Sequence, residues 1–239
     1  MFTSIQYIIV TIILVTGMFW STRARKLTKA GAFVGGFIGL LVYMGAGFTG
    51  LLMMTVFFLM GTAATSWRKG VKETHGVAEE SNEGRTAGQV IANAGVAGLL
   101  AACAFLLPAK ATLFHLMLAA GFASAAADTV SSELGNVYGS RYYNILTFKR
   151  DQRGLNGVVS LEGSLAGVAA SIVIALVYAA GYGWNKNGAL IVLAGTFGNL
   201  LDSILGATLE RKGVVNNDVV NFLNTLAAAL MVLLLHYLF

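Results

Sequence analysis

The stretch Ala111–Asp128, ATLFHLMLAAGFASAAAD, carries no Lys, Arg, Asp or Glu until its final residue. A second run, Gly188–Ser203, GALIVLAGTFGNLLDS, is uncharged up to Asp202. Both are apolar enough to read as membrane spans, so each places a carboxylate where hydrocarbon is expected. A charge at that depth costs about 2.5–3.5 kcal/mol on insertion scales and persists where it faces a cavity or a partner. A helix-end carboxylate reaching headgroup water would account for one such residue. Two of them, each beside Ser and close to Gly, point to a site.

The rest of the chain fits a membrane setting. It has 239 residues, 56% hydrophobic and 11% charged, against about 25% charged in a soluble domain. One Pro and 29 Gly suit membrane helices that pack closely. The expected fold is all-α, a polytopic helical membrane protein of about eight spans forming a single transmembrane domain over residues 1–239. The spans are placed near 3–21, 30–46, 48–66, 87–107, 111–135, 159–181, 188–209 and 217–238, each close to the roughly twenty residues a crossing needs. Residues 31–65 are too long for one crossing, and Gly45-Ala46-Gly47 is the expected turn. No Lys or Arg precedes Arg23, so the first run lacks the positive region of a signal peptide and reads as a span. Cys103 is the sole cysteine, which excludes an intrachain disulfide and a thiolate metal cage.

These spans sort the charges. Arg23, Arg25, Lys26, Lys29, Arg68, Lys69, Lys72, Arg85, Arg141, Lys149, Arg150, Arg153, Arg211 and Lys212 fall in one set of loops, near 22–29, 67–86, 136–158 and 210–216; only Lys110 and Lys186 fall in the other. The positive-inside rule makes the crowded side cytosolic and puts both termini outside. The pI of about 9.4 is thereby explained by topology, and a nucleic-acid partner is rejected. Glu73, Glu79, Glu80, Glu83, Glu133, Asp151, Glu162, Glu210 and Asp218 crowd the same face. Acidic residues contribute little to topology, so a cytosol-facing site is the simpler cause.

Five segments carry the polar side chains. On a helix, Arg85, Gln89 and Asn93 recur every four residues and share a face. Asp128, Ser131, Ser132 and Glu133 form a second group, and Asn156–Ser164 a third. The fourth is Asn199–Thr208 and the fifth Asn216–Thr225. Helix capping and interhelical hydrogen bonds are the local reading of such residues, and Asn217 or Asp218 is expected to cap the last helix. Capping does not explain Asp202 or Asn93, which lie beyond the first turn. Carboxylates beside amide oxygens suit a hard cation such as Mg2+. Glycines and helix N-termini suit phosphate, and the nearby arginines add positive charge. A metal–nucleotide or diphosphate at the membrane face fits this set. GxxxxGK[ST], HExxH and GxSxG are absent, and His75, His115 and His236 are too scattered to form a ligand set.

In these five segments the sequence resembles the domain-of-unknown-function-92 membrane family, to which transmembrane protein 19 and the phytyl-phosphate kinases of plants and cyanobacteria belong. The motifs are GRTAGQVIANAG, ADTVSSELG, GVVSLEGSLAG, LDSILGATLE and NNDVVNFLNT. The resemblance implies a kinase that phosphorylates a phytyl or prenyl monophosphate to the diphosphate, with CTP the expected nucleoside triphosphate. Arg85, Gln89, Asn93, Asp128, Ser132, Glu133, Ser160, Glu162, Gly163, Asp202, Ser203, Gly206, Asn217, Asp218 and Asn221 match motif positions. Chemistry then suggests the roles. Asp128, Glu133 and Asp202 are the candidate catalytic residues and, with Asp218, the candidate Mg2+ ligands; the others are candidates for binding lipid phosphate and nucleotide. The chain begins close to its first span, without a plastid-type leader, which suits the plasma membrane of a bacterium or archaeon, with the site facing the cytosol. The residues alone leave open an ion- or proton-coupled transporter, a CTP-dependent lipid cytidylyltransferase and a non-catalytic lipid-binding protein.

Overall fold

A straight helix of 38 residues would be about 57 Å long, yet the two ends of α2 (Lys29–Ser66) lie together. Lys26, just before it, donates to the Ser66 hydroxyl at 2.8 Å. The reversal is at Gly47, whose φ of 63° and ψ of −158° leave the helical region. Of the expected Gly45-Ala46-Gly47 turn, only Gly47 breaks the helix. Gly45 serves packing instead: a Cβ there would lie 1.9 Å from the Ala101 carbonyl. Two carbonyls beside the break find side-chain partners: the His115 ring meets the Gly45 oxygen at 2.7 Å and the Tyr182 hydroxyl donates to the Ala46 oxygen at 2.6 Å.

The computed structural model describes residues 4–77 and 84–239; Glu79, Glu80 and Glu83 lie outside the described residues. The remaining helices are α1 (Ser4–Arg23), the short α3 (Lys69–Thr74), α4 (Ala87–Leu106), α5 (Ala111–Tyr138), α6 (Leu161–Tyr182), α7 (Asn187–Leu205) and α8 (Asn217–Leu238). Seven helices among the described residues are long and apolar enough to cross a membrane; with α2 folded on itself, they supply eight apolar segments. Their outer faces carry large apolar side chains such as Ile8, Ile12, Leu99 and Leu234, as lipid-facing surfaces require.

Helix α5 is the axis of the bundle and packs against α2, α4, α6, α7 and α8. Its stretch Leu116–Ala127 is buried throughout, and most of it is Ala, Gly or Ser, which lets neighbouring backbones approach. Gly195 and Gly198 of α7 use this, because a Cβ on either would lie within 3 Å of Ala123 or Ser124 atoms.

Helix starts follow side-chain caps. Thr28, Thr86, Ser160 and Asn216 accept from backbone N–H groups three residues on. The last helix is therefore capped by Asn216, one residue before Asn217 and two before Asp218, the expected caps. Between α5 and α6 the chain forms a small antiparallel pair, β1 (Tyr143–Asn144) with β2 (Val158–Val159), which hydropathy did not foretell. The segments Lys26–Thr28, Ser66–Trp67, Arg85, Val158–Val159 and Arg211 gather at one end of the bundle. Lys110, Lys186 and the chain's C-terminus occupy the other end, where Lys186 bonds the Phe239 carbonyl.

A candidate phosphate-and-cation site between α4, α5, α7 and α8

At the basic end the helices splay around a polar cavity of about 500 Å³. Asp128 from α5 and Asp202 from α7 face each other inside it. Oriented with its nitrogen toward them, the Asn221 amide of α8 donates to Asp128 Oδ2 and Asp202 Oδ2, both at 3.2 Å, and accepts from Asn217 Nδ2 at 3.1 Å. Asn224, fully buried one turn deeper, donates to Asp202 Oδ2 at 2.7 Å and accepts from the Ser124 hydroxyl at 3.1 Å. Ser131 donates to Asn199 Oδ1 at 3.1 Å. The floor is thus two carboxylates held by amide donors from a neighbouring helix.

The roof is the Gly154–Ser160 segment. Gly157 has a φ of +73°, and a Cβ there would sit 2.3 Å from the Ala207 Cβ, so glycine is required on two counts. Ala207 lies on a π-helical turn, Gly206–Glu210, that ends α7; such turns often mark functional sites. Arg211 ties roof to floor: it donates to the Asn156 carbonyl at 2.5 Å and to Asp151 Oδ2 at 2.9 Å. The Gln152 backbone N–H, followed by Arg211, holds the Asp151 carboxyl below the usual range. Tyr142 lines the cavity edge; burial pushes its phenol up despite the Arg153 guanidinium over its ring.

Arg85 enters from the side. Its backbone is pinned by two hydrogen bonds to the α1–α2 link, with the Lys26 and Thr28 peptide groups. Its guanidinium crosses Gly61, where a Cβ would lie 2.8 Å from Nη2, and sits over the Phe57 ring. Gln89 and Asn93 continue the same face of α4. Gln89 also closes the capping box with Thr86, and Asn93 donates to the Gln89 carbonyl at 2.9 Å.

The expected residues thus divide by place. Arg85, Gln89, Asn93, Asp128, Ser132, Glu133, Ser160, Gly163, Asp202, Ser203, Gly206, Asn217 and Asn221 line the cavity; Glu162 and Asp218 are not among its lining residues. Glu162 accepts from the Ser140 N–H and hydroxyl. Asp218 lies against Gly88 at the start of α4. Glu133 lines the cavity but is bound elsewhere: Lys72, 1% exposed, donates to its Oε2 at 2.5 Å and to the Ala64 and Thr65 carbonyls that end α2. Among the described residues, no group of three or more acidic, His or Cys side chains is placed to hold a metal ion; of the four expected metal ligands, Asp128 and Asp202 share the Asn221 donor. Ser160 and Gly163 combine lining with capping or close helix packing, and Gly206 packs against the Asn156–Gly157 loop. Asn199 and Asn224 lie in the fourth and fifth polar segments but are not among the candidate site residues, although each carries a signal. Asn199 precedes Asp202 by three residues, and Asn217, Asn221 and Asn224 form one helical stripe.

A family model described as "Integral membrane protein DUF92" matches residues 11–229. The chain is 36% identical over 219 residues to "Protein VTE6, chloroplastic" of Arabidopsis thaliana, covering 87% of this chain and 65% of that one, so it spans just under two thirds of the plant protein. It is 34% identical to an uncharacterized membrane protein of Synechocystis sp. (80% of this chain, 76% of the relative). It is 30% identical to another from Methanocaldococcus jannaschii (90% and 87%). No solved structure matches the chain. The matched segment includes Arg85, Asp128, Asp202 and Asn221, and the chain belongs to the DUF92 family of integral membrane proteins.

Proposed function

We propose that this protein is a membrane phosphotransferase that converts an isoprenoid monophosphate to its diphosphate at the expense of a nucleoside triphosphate, with CTP the donor implied by the family resemblance. The carrying observation is the Asp128–Asp202 pair on the floor of the cavity, sharing the Asn221 donor. Two carboxylates this close repel unless a proton or cation lies between them. A Mg2+–nucleotide fits such a floor, because Mg2+ takes one or two carboxylates and completes its shell with water and phosphate oxygens. The amide nitrogens of Asn221 and Asn224 point at the carboxylates, so these residues orient the acids and are not the ligands. Magnesium, when bound by Asp128 and Asp202, would neutralise charge on the triphosphate.

The transfer asks little covalent chemistry of the protein. An oxygen of the acceptor phosphate bonds to the γ-phosphorus. The bond from that phosphorus to the β–γ bridging oxygen breaks, and the nucleoside diphosphate leaves. A dianionic acceptor has no proton to lose, so a strong base is unnecessary. Arg85 stabilises the phosphates from the side and the N-terminus of α6 from the roof. The basic loops at this end support a cytosolic site. The buried polar network ends at Ser124 and Asn224, and α5 is apolar from Leu116 to Ala123, which supports a closed site over a transport path.

The test uses purified protein in detergent with Mg2+, each of CTP, ATP, GTP and UTP, and a panel of prenyl monophosphates. Prenyl diphosphate and nucleoside diphosphate in equal amounts are expected. Release of inorganic diphosphate would identify a cytidylyltransferase instead, and no product across the panel would overturn the kinase.

A further inference from the structure

A second cavity, about 200 Å³ and almost wholly apolar, opens between α1, α2 and α4. It meets the polar cavity at Arg85, Gln89 and Asn93, which line both. We infer that this groove holds the part of the prenyl chain nearest the phosphate, and that the acceptor phosphate lies at Arg85, Gln89 and Asn93. The inference rests on the reading of the polar cavity given above and adds where its lipid lies.

Three observations carry it. The groove is built for an amphiphile with an anionic head: its walls are side chains such as Leu14, Met18, Leu51, Met54 and Phe58, and the one cation lining it among the described residues, Arg85, stands at the junction with the polar site. From Ser21 to Ile13 it follows α1 for about 12 Å at 1.5 Å per residue, enough for the first isoprene units and leaving the remainder to the bilayer. Finally, its glycines are not all used by the protein. A Cβ on Gly36 would strike Met18 Sδ at 2.5 Å, so Gly36 serves helix packing. A Cβ on Gly17 would meet nothing within 4 Å, and one on Gly35 only Val90 at 3.9 Å and Leu27 at 4.0 Å. Glycine in a helix costs about 1 kcal/mol relative to alanine. At these two positions it leaves methyl-sized notches facing the groove, suited to a methyl-branched chain.

The test is cross-linking of the full chain in detergent, without nucleotide, by a prenyl monophosphate carrying a diazirine in its first isoprene units. Labelling is expected on α1 between Ile13 and Met18 and on α2 between Leu51 and Phe58, competed by unlabelled farnesyl monophosphate. Gly35→Leu, whose Cβ would meet only ordinary contacts at 3.9 and 4.0 Å, is expected to lower that labelling at least about tenfold, and Gly35→Ala to do so less; equal thermal midpoints establish that both variants fold. Labelling spread over other lipid-facing helices and indifferent to Gly35→Leu would overturn the inference. So would competition by a diacyl phospholipid but not by the prenyl phosphate. Labelling as expected with no diphosphate formed on adding nucleotide would keep the groove and remove the kinase. Diphosphate formed by Gly35→Leu at the wild-type rate for every chain length would keep the kinase and remove the groove.

Discussion

Polar groups occur at both ends of this bundle, but on opposite terms. At the Gly47 end, His115 and Tyr182 have one evident local duty. His115 and Tyr182 stack on each other at 4.8 Å between ring centres and bond the carbonyls that the broken helix leaves behind. At the Arg85 end, carboxylates face carboxylates, amides from another helix aim donors at them, and the space between is open. A buried hydrogen bond that satisfies backbone is what a helical membrane fold requires. Facing acids beside a cavity bond other side chains and, among the described residues, no backbone group, so the asymmetry separates a structural end from a working one.

The sharpest way to break that distinction is at Asp128 and Asp202. Changing either to Asn removes a charge that the proposed transition state needs but keeps the shape. Prenyl diphosphate formation is expected to fall about a thousandfold, equal to about 4 kcal/mol. The thermal midpoint in detergent should stay at or above the wild-type value, because a repulsion is removed. Activity within a fewfold of wild type in both variants would make the working end structural too.

Glu133 tests the boundary between the two kinds of polar group. Lys72 reaches it from a short helix outside the bundle while also closing the end of α2. Lys72→Met leaves a carboxylate facing an apolar wall and is expected to destabilise the fold by about 3 kcal/mol, the lower end for a buried pair, since Glu133 is 15% exposed. Adding Glu133→Gln should recover part of the loss, read as the thermal midpoint of the double variant. If Lys72→Met instead leaves stability untouched and abolishes turnover, Glu133 belongs with Asp128 and Asp202.

These placements also show what the sequence could and could not disclose. The spans were legible because burial in lipid is a local property of some twenty residues, and even the α2 hairpin was marked by its excess length and by Gly47. The meeting of Asp128 and Asp202 was foreshadowed because each is costly alone. The Lys72–Glu133 pair was not, since 61 positions separate its partners: Lys72 looks like an ordinary residue at a charged helix end, and Glu133 reads from its motif as a candidate catalytic and metal-binding residue. Asp218 and Glu162 share motifs with cavity residues but are not among the residues lining the cavity, because helical rotation of about 100° per residue aims neighbours in different directions. The short β1–β2 pair left no alternating pattern, because two residues per strand are too few to make one.

At the structural end, His115→Phe should keep the stacking on Tyr182 but leave the Gly45 carbonyl unbonded. A loss of about 1–3 kcal/mol in stability is expected, with phosphotransfer unchanged per folded molecule. A specific loss of turnover would mean that the Gly47 turn communicates with the site across the membrane.

The smallest effect belongs to the clasp between the cavity roof and α7. Asp151 has its carboxyl held low by the Gln152 N–H and by Arg211, so its folded value lies beneath the unfolded value of about 3.9. A group depressed in this way contributes its full stabilisation above about pH 4 and loses it as the pH falls through the lower folded value. Limited proteolysis within residues 142–159 should therefore accelerate below pH 4 in the wild type. In Asp151→Asn it should already be faster at neutral pH and lack that acid-dependent step, while the transmembrane helices stay resistant. An unchanged step in the variant would shift the acid sensitivity from the clasp to the carboxylates of the cavity itself, and the roof would then report on the working end rather than merely cover it.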